Sequence, residues 1–197
     1  ELIIERAEGN PFYVEELIKM LIEDGVIVKG EDRWGVVDEK LAGLEVPPTL
    51  TGILQARLDA LPAIERDALQ VASVIGRLFW DAAVEIICRQ HGNQIDESLW
   101  PALRQREIVF LREGTAFEGT TEYVFKHALL RDVTYESVLR RLRREYHRHA
   151  AEWLIKVGGH RVDEFADQIA AHFAAAGATC ITSTRAMPQP MRRTRRV

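Results

Sequence analysis

Ile108-Val109-Phe110-Leu111-Arg112-Glu113-Gly114-Thr115-Ala116-Phe117-Glu118-Gly119-Thr120-Thr121-Glu122-Tyr123-Val124-Phe125 is the stretch on which the fold turns. Ile108 to Leu111 is an apolar run of strand length. Glu113-Gly114 and Glu118-Gly119-Thr120 supply turn chemistry, and Tyr123-Val124-Phe125 returns as a second strand. Three helical patterns precede this hairpin. The first follows Pro62, turns Ile64, Ala68, Leu69, Val71 and Ala72 inward, and stops at Gly76. The second runs from about Asp81 to Arg89. The third begins near Asp96 or Ser98, which places Pro101 in a first turn where proline is tolerated. Three helices and a two-stranded hairpin, adjacent in sequence, give the order of a winged helix over residues 62–127.

Outward from that unit the chain is helical on both sides, so the fold class is mainly α with small β-hairpins. In residues 1–61, Asn10 caps a helix whose first turn takes Pro11, an amide-free residue where no amide partner exists. Val14, Leu17, Ile18, Leu21 and Ile22 repeat at helical spacing until Asp24-Gly25. Val26-Ile27-Val28 and Trp34-Gly35-Val36-Val37 read as a small hairpin. After Pro47-Pro48, Thr49 caps a helix carrying Leu50, Ile53, Leu54, Leu58 and Leu61. In residues 128–177 a helix follows His127. A long stripe of Leu139, Leu142, Tyr146, Ala150, Trp153, Leu154 and Val157 comes next. A last helix over about Val162 to Ala176 carries Phe165, Ile169, His172 and Phe173. Residues 178–197 lose all periodicity and read as a disordered basic tail.

Composition is that of a soluble globular chain: 47% apolar and 28% charged over 197 residues. No apolar run approaches the about 18 residues of a membrane span, which makes a cytoplasmic protein the expectation. Cys88 and Cys180 fall in a helix and in the tail, so reduced thiols are expected rather than a disulfide framework. The formal charge of −4 divides unevenly: the tail carries five arginines and no acid, leaving −9 on the rest. An acidic body disfavours nucleic acid as a partner, because phosphate neutralisation needs clustered cations.

Candidate chemistry is sparse. Gly114 to Thr121 has the glycine spacing of a phosphate-binding loop but lacks the lysine that must follow the second glycine. It also lies between strands, with no helix dipole to face a phosphate. It is read as a hairpin turn, and the chain alone is not expected to hydrolyse nucleotide. No metal site is expected: Cys88 and His91 have no second ligand pair, and His147 and His149 point to opposite helix faces. Arg140, Arg141, Arg143, Arg144 and Arg148 lie opposite an apolar stripe, where a solvated face competes with a nucleic-acid contact. His127 stands at a strand-to-helix junction flanked by Phe125 and Leu129. Two readings stand: a buried, hydrogen-bonded core histidine, or a donor held to meet a phosphate from a neighbouring domain.

The run Glu5-Arg6-Ala7-Glu8-Gly9-Asn10-Pro11-Phe12-Tyr13-Val14-Glu15-Glu16-Leu17 resembles the segment that follows the ATPase core of STAND-class signalling ATPases. Val46-Pro47-Pro48-Thr49-Leu50, Gln55-Ala56-Arg57-Leu58, Ala72-Ser73-Val74-Ile75-Gly76-Arg77 and Tyr123-Val124-Phe125-Lys126-His127 are also similar. The version resembled is that of bacterial proteins with adenylate/guanylate cyclase domains and of LuxR-type regulators.

The resemblance implies that residues 1–61 form the lid and 62–127 the winged helix of such a module. Residues 128–177 would open a region of TPR-like helical repeats. It further implies that Pro11 packs near the nucleotide base and His127 touches the β-phosphate of ADP. The usual motif there is methionine-histidine-aspartate, whereas Lys126 and Ala128 flank His127 here. ATP or ADP, with Mg, would be held by an upstream P-loop core whose Walker motifs this chain lacks, and helical repeats would lie downstream. The irregular tail suggests a truncated or frame-shifted end. The alternatives are a free-standing winged-helix DNA-binding protein and a plain helical interaction module. Against the first, the third helix of the winged unit offers Arg104 and Arg106 but also Glu97 and Glu107.

Overall fold

Helix α1, Pro11–Glu23, begins where the capping residues place it. The computed structural model describes residues 9–30, 33–37, 39–40 and 46–177. After α1 come the antiparallel strands β1, Ile27–Lys29, and β2, Trp34–Val36, paired with Val28 opposite Gly35. Thr49 accepts the Gly52 amide at 3.1 Å and opens α2, Leu50–Asp59. Pro62 precedes α3, Ala63–Ile75. Gly76, at φ 156°, ends it with a backbone geometry that side chains rarely adopt.

The winged unit then unfolds in order: β3, Leu78–Trp80; α4, Asp81–Gln90; α5, Leu99–Gln105; β4, Val109–Leu111; β5, Glu122–Phe125. Its sheet has three strands rather than the two expected, in the order β3-β5-β4, all antiparallel. Phe79 faces Tyr123 and Phe110 faces Val124 in the register. The additional strand lies in three apolar residues wedged between two helices, too few for an alternating pattern to show. Phe79 and Phe125 are fully buried with ring centroids 5.3 Å apart, and Trp100 stacks on Tyr123 at 4.8 Å.

The loop between β4 and β5 forms the wing, with Gly114 and Gly119 in the left-handed region, at φ 83° and 75°. Most of it is exposed, but one aromatic side chain turns back into the chain. Phe117 is buried against Trp80, Trp153 and Phe165, at centroid distances of 5.0, 5.2 and 4.7 Å. Arg161 donates to the Ala116 carbonyl at 3.1 Å. The wing is thereby fastened to the helices that follow: α6, Ala128–Ser137; α7, Arg140–Gly158; a 3-10 segment, Gly159–Phe165; and α8, Ala166–Ala176. The last predicted helix is thus shorter than expected, its first turns being wound tighter. Leu139, assigned to the α7 stripe, caps that helix instead and is 71% exposed.

Two cores result. Tyr13, Leu17, Met20, Leu21, Val26 and Ile53 form the smaller. The larger begins at Leu54 and Leu58 and runs through the winged unit to Ile169. Helix α2 feeds both, so the expected division at residue 61 crosses no gap in packing. Cys88 is buried and unpaired, while Cys180 and the tail lie outside the described residues. No described helix is long and apolar enough to cross a membrane.

Because Phe117 joins the wing to α7 and the 3-10 segment, Phe117→Ala is expected to cost about 3–5 kcal/mol. For a chain of this size that is a fall in melting temperature of roughly 6–20 °C. A calorimetric or circular-dichroism melt checks it; a shift under about 2 °C would mean the wing is not packed.

Candidate functional site

The two motifs that lie a hundred residues apart meet. Asn10 has extended backbone, and its side-chain oxygen accepts from the amides of Phe12 and Tyr13 at 3.0 and 3.3 Å. That cap, with Gly9 at φ 80° before it, sets the angle at which α1 starts. Pro11 sits exposed at the first helical position and Phe12 turns inward. The Phe12 ring lies 4.1 Å from the His127 ring, tilted by 50°.

His127 is placed from the other side. Lys126 closes the sheet, its amide donating to the Ile108 carbonyl at 3.0 Å, and His127 then caps α6 with extended backbone. Its Nε2 is buried and has no hydrogen-bond partner. Burial pushes the imidazole below its usual pKa; Glu16 and Glu15 oppose this, while Lys126 and Lys19 add to it. The ring is therefore neutral at physiological pH, with one nitrogen left unmet.

Around this contact lies a ring of alternating charge. Lys126 reaches Glu15 at 2.7 Å and Glu107 at 2.6 Å, and Lys19 reaches the same two at 2.6 and 2.7 Å. Lys126 first, then Lys19, hold the carboxyls of Glu15 and Glu107 down to about 2. Depressed carboxyls stabilise the fold above their unfolded value near 4.5 and lose that contribution as pH falls towards 2. Glu107 stands at φ 54°, in the left-handed region, at the corner between α5 and β4. Two ammonium groups meet its carboxylate at that corner.

Deeper, Arg57 of α2 is 3% exposed and pairs with the equally buried Glu16. It also donates to Glu23 at 3.1 and 2.8 Å, and to the Arg106 carbonyl at 3.0 Å. One guanidinium thus joins α1, α2 and the end of α5.

Glu15, Glu16 and His127 bring their ligand atoms within 4.8 Å of one another, a grouping that could hold a cation. Both carboxylates already carry Lys or Arg partners, so it reads as part of the charge network. The Cys88 thiol is pushed up to about 12 by burial and by Asp67 and Glu85, which keeps it protonated. The arginines of α7 largely occupy the outer face, where Arg141 pairs with Glu145 at 3.2 Å and Arg143 with Glu136 at 3.3 Å.

DNA recognition by the winged unit meets two obstacles. Its wing is folded back through Phe117. The outer side of α5 forms a cleft with α1 lined by Lys19, Glu23, Gln105, Arg106 and Glu107, a mixed-charge surface. No protein family, curated protein or solved structure matches the chain.

Of the two predicted site residues, His127 lies against the residue that follows Pro11. Sequence reasoning missed Arg57, which stands between apolar positions of a short helix, and the Lys19–Glu107 and Lys126–Glu107 pairs, which are far apart in the chain. Arg57→Met is expected to cost about 3–5 kcal/mol, because it leaves the buried Glu16 with only the longer 3.5 Å contact to Lys19. Glu16→Leu added to Arg57→Met should recover most of that loss. Denaturant unfolding of both variants checks this; equal, small effects would place the guanidinium in solvent.

Proposed function

We propose that this chain is the lid and winged-helix part of a multidomain signalling ATPase of the STAND class. It closes over ADP or ATP, with Mg, held by a P-loop core joined to it, and passes the nucleotide state to helical repeats and an output domain. The output is a cyclase or a transcription regulator, and the setting is the cytoplasm. The part itself is not catalytic.

The observation that carries this reading is the contact between Phe12 and His127. It brings the start of α1 and the end of β5 to one place, as the resemblance requires of a base-packing proline and a phosphate-touching histidine. Pro11 is exposed beside that contact. The unpartnered Nε2 of His127 gives the site a polar group without a partner inside the chain. Lys126, which replaces the usual methionine, is engaged by Glu15 and Glu107, leaving the imidazole as the group for a phosphate.

In physical terms the part is a two-state element biased by differential contacts to ADP and ATP. The reading requires a P-loop encoded upstream of Glu1, and sequencing the gene on that side tests it: an upstream stretch without one would contradict the proposal. In that longer polypeptide, His127→Ala removes a hydrogen bond to a charged group, worth about 1.5–3 kcal/mol. ADP should then dissociate faster by one to two powers of ten, with signalling raised in the absence of stimulus. Unaltered ADP release from a well-folded His127→Ala protein would leave His127 a packing residue and remove the proposal's support.

A further inference from the structure

A second histidine cluster lies far from His127 and is used by nothing described so far. His147 of α7 and His172 of α8 are both buried, with their Nδ1 atoms 2.8 Å apart. At the other side of His147, Nε2 lies 3.1 Å from the Tyr135 hydroxyl of α6. His172 in turn hydrogen-bonds the Ile75 carbonyl at the end of α3.

These contacts dictate the protons. The Ile75 carbonyl can only accept, so His172 carries a proton on the nitrogen facing it and its Nδ1 is a lone-pair acceptor. The His147 Nδ1 must therefore donate, and its Nε2 accepts from the Tyr135 hydroxyl. The result is a one-way relay, Tyr135 to His147 to His172 to Ile75, in which both rings are neutral and every nitrogen is satisfied. One more proton has no good place. On the His172 Nδ1 it would face the Nδ1–H of His147. On the His147 Nε2 it would force Tyr135 to accept and leave an imidazolium in the interior.

The charged neighbours make that worse. Arg131 and Arg143 lie over the Tyr135 ring, at 4.7 and 4.2 Å. The carboxylates nearby on α6 are Asp132 and Glu136, both exposed and each paired with one of those arginines. From α4, Cys88 and His91 meet α7 near Tyr146 and His149, not His147. The relay faces guanidinium groups without a carboxylate of its own. Helix α8 buries only Ile169 and His172, so the relay accounts for half of the side chains it buries.

We propose that the Tyr135–His147–His172 relay is a proton-operated latch that holds α8 on α7 at neutral pH and releases it when the pair takes up an additional proton. Burial, His172 and the two arginines lower His147 to about 4, and burial with Arg131 lowers His172 to about 4. Undocked imidazoles titrate near 6.5. Depressed basic groups favour docking fully above about 6.5, and that preference declines as pH falls towards 4, by up to tenfold per pH unit for each histidine. The main core, which α8 caps at one end, keeps its structure over that range, so the opening is local. This inference is independent of the nucleotide reading.

Hydrogen exchange of the whole chain between pH 7.5 and 5 tests it. Corrected for intrinsic rates, exchange of the α8 amides should rise at least about tenfold between pH 6.5 and 5, while β5 and α3 stay protected. In a His147→Phe/His172→Leu variant the α8 rates should not follow pH. Imidazole titration of the unaltered protein by NMR gives a second readout that needs no variant: both rings should stay neutral well below pH 6.5. Unchanged α8 protection down to pH 5, or rings that titrate near 6.5 with α8 still docked, would overturn the latch.

Discussion

Arg57 is the constraint on which the arrangement depends. A buried guanidinium must satisfy its donors and its charge at once, and few geometries do both. Here Glu16 and Glu23 on one face of α1 supply the charge, and the Arg106 carbonyl at the end of α5 takes a further donor. Since Arg57 sits on α2, which feeds both cores, α1 has one rotation and one height that work. The Phe12 contact with His127 follows from that placement, as does the reach of Lys19 to Glu107. Buried ion pairs add little net stability over apolar replacements. What this one gives is registry between α1, α2 and the end of α5.

The winged unit is packed against the rest of the chain on two sides. Its α5 side faces α1 across a cleft of mixed charge, and Phe117 of its wing is buried against Trp153 and Phe165. A unit gripped at both ends can carry a displacement of α1 to α7. This suits the proposed role of relaying nucleotide state to whatever follows the helical region.

Much of the fold was legible because it rests on local rules. Asn10, Thr49 and Gly76 begin and end their helices where capping and backbone freedom dictate, and Glu113-Gly114 turns the hairpin as expected. The third strand, Leu78 to Trp80, was not legible, because three apolar residues carry no period. Nor was the tight 3-10 start of the last helix. Of the candidate site, Pro11 was reachable only through resemblance, while the strand-to-helix junction also marked His127. Their approach to each other depends on Arg57, whose partners lie 34 to 49 residues away in the chain. The histidine relay was hidden likewise: His147 was read only against His149 on the opposite helix face, and His172 as one member of an apolar stripe. Long-range pairs of polar groups leave no periodic trace in either segment.

The central claim, that α1 is locked across the end of β5, is tested most directly by proton NMR of the chain itself. The account predicts nuclear Overhauser contacts between the aromatic protons of Phe12 and the imidazole protons of His127, consistent with centroids 4.1 Å apart. It also predicts that these contacts disappear in Arg57→Met while those between Phe79 and Tyr123 remain. Absence of the Phe12–His127 contacts in the unaltered protein, with the winged unit folded, would contradict it.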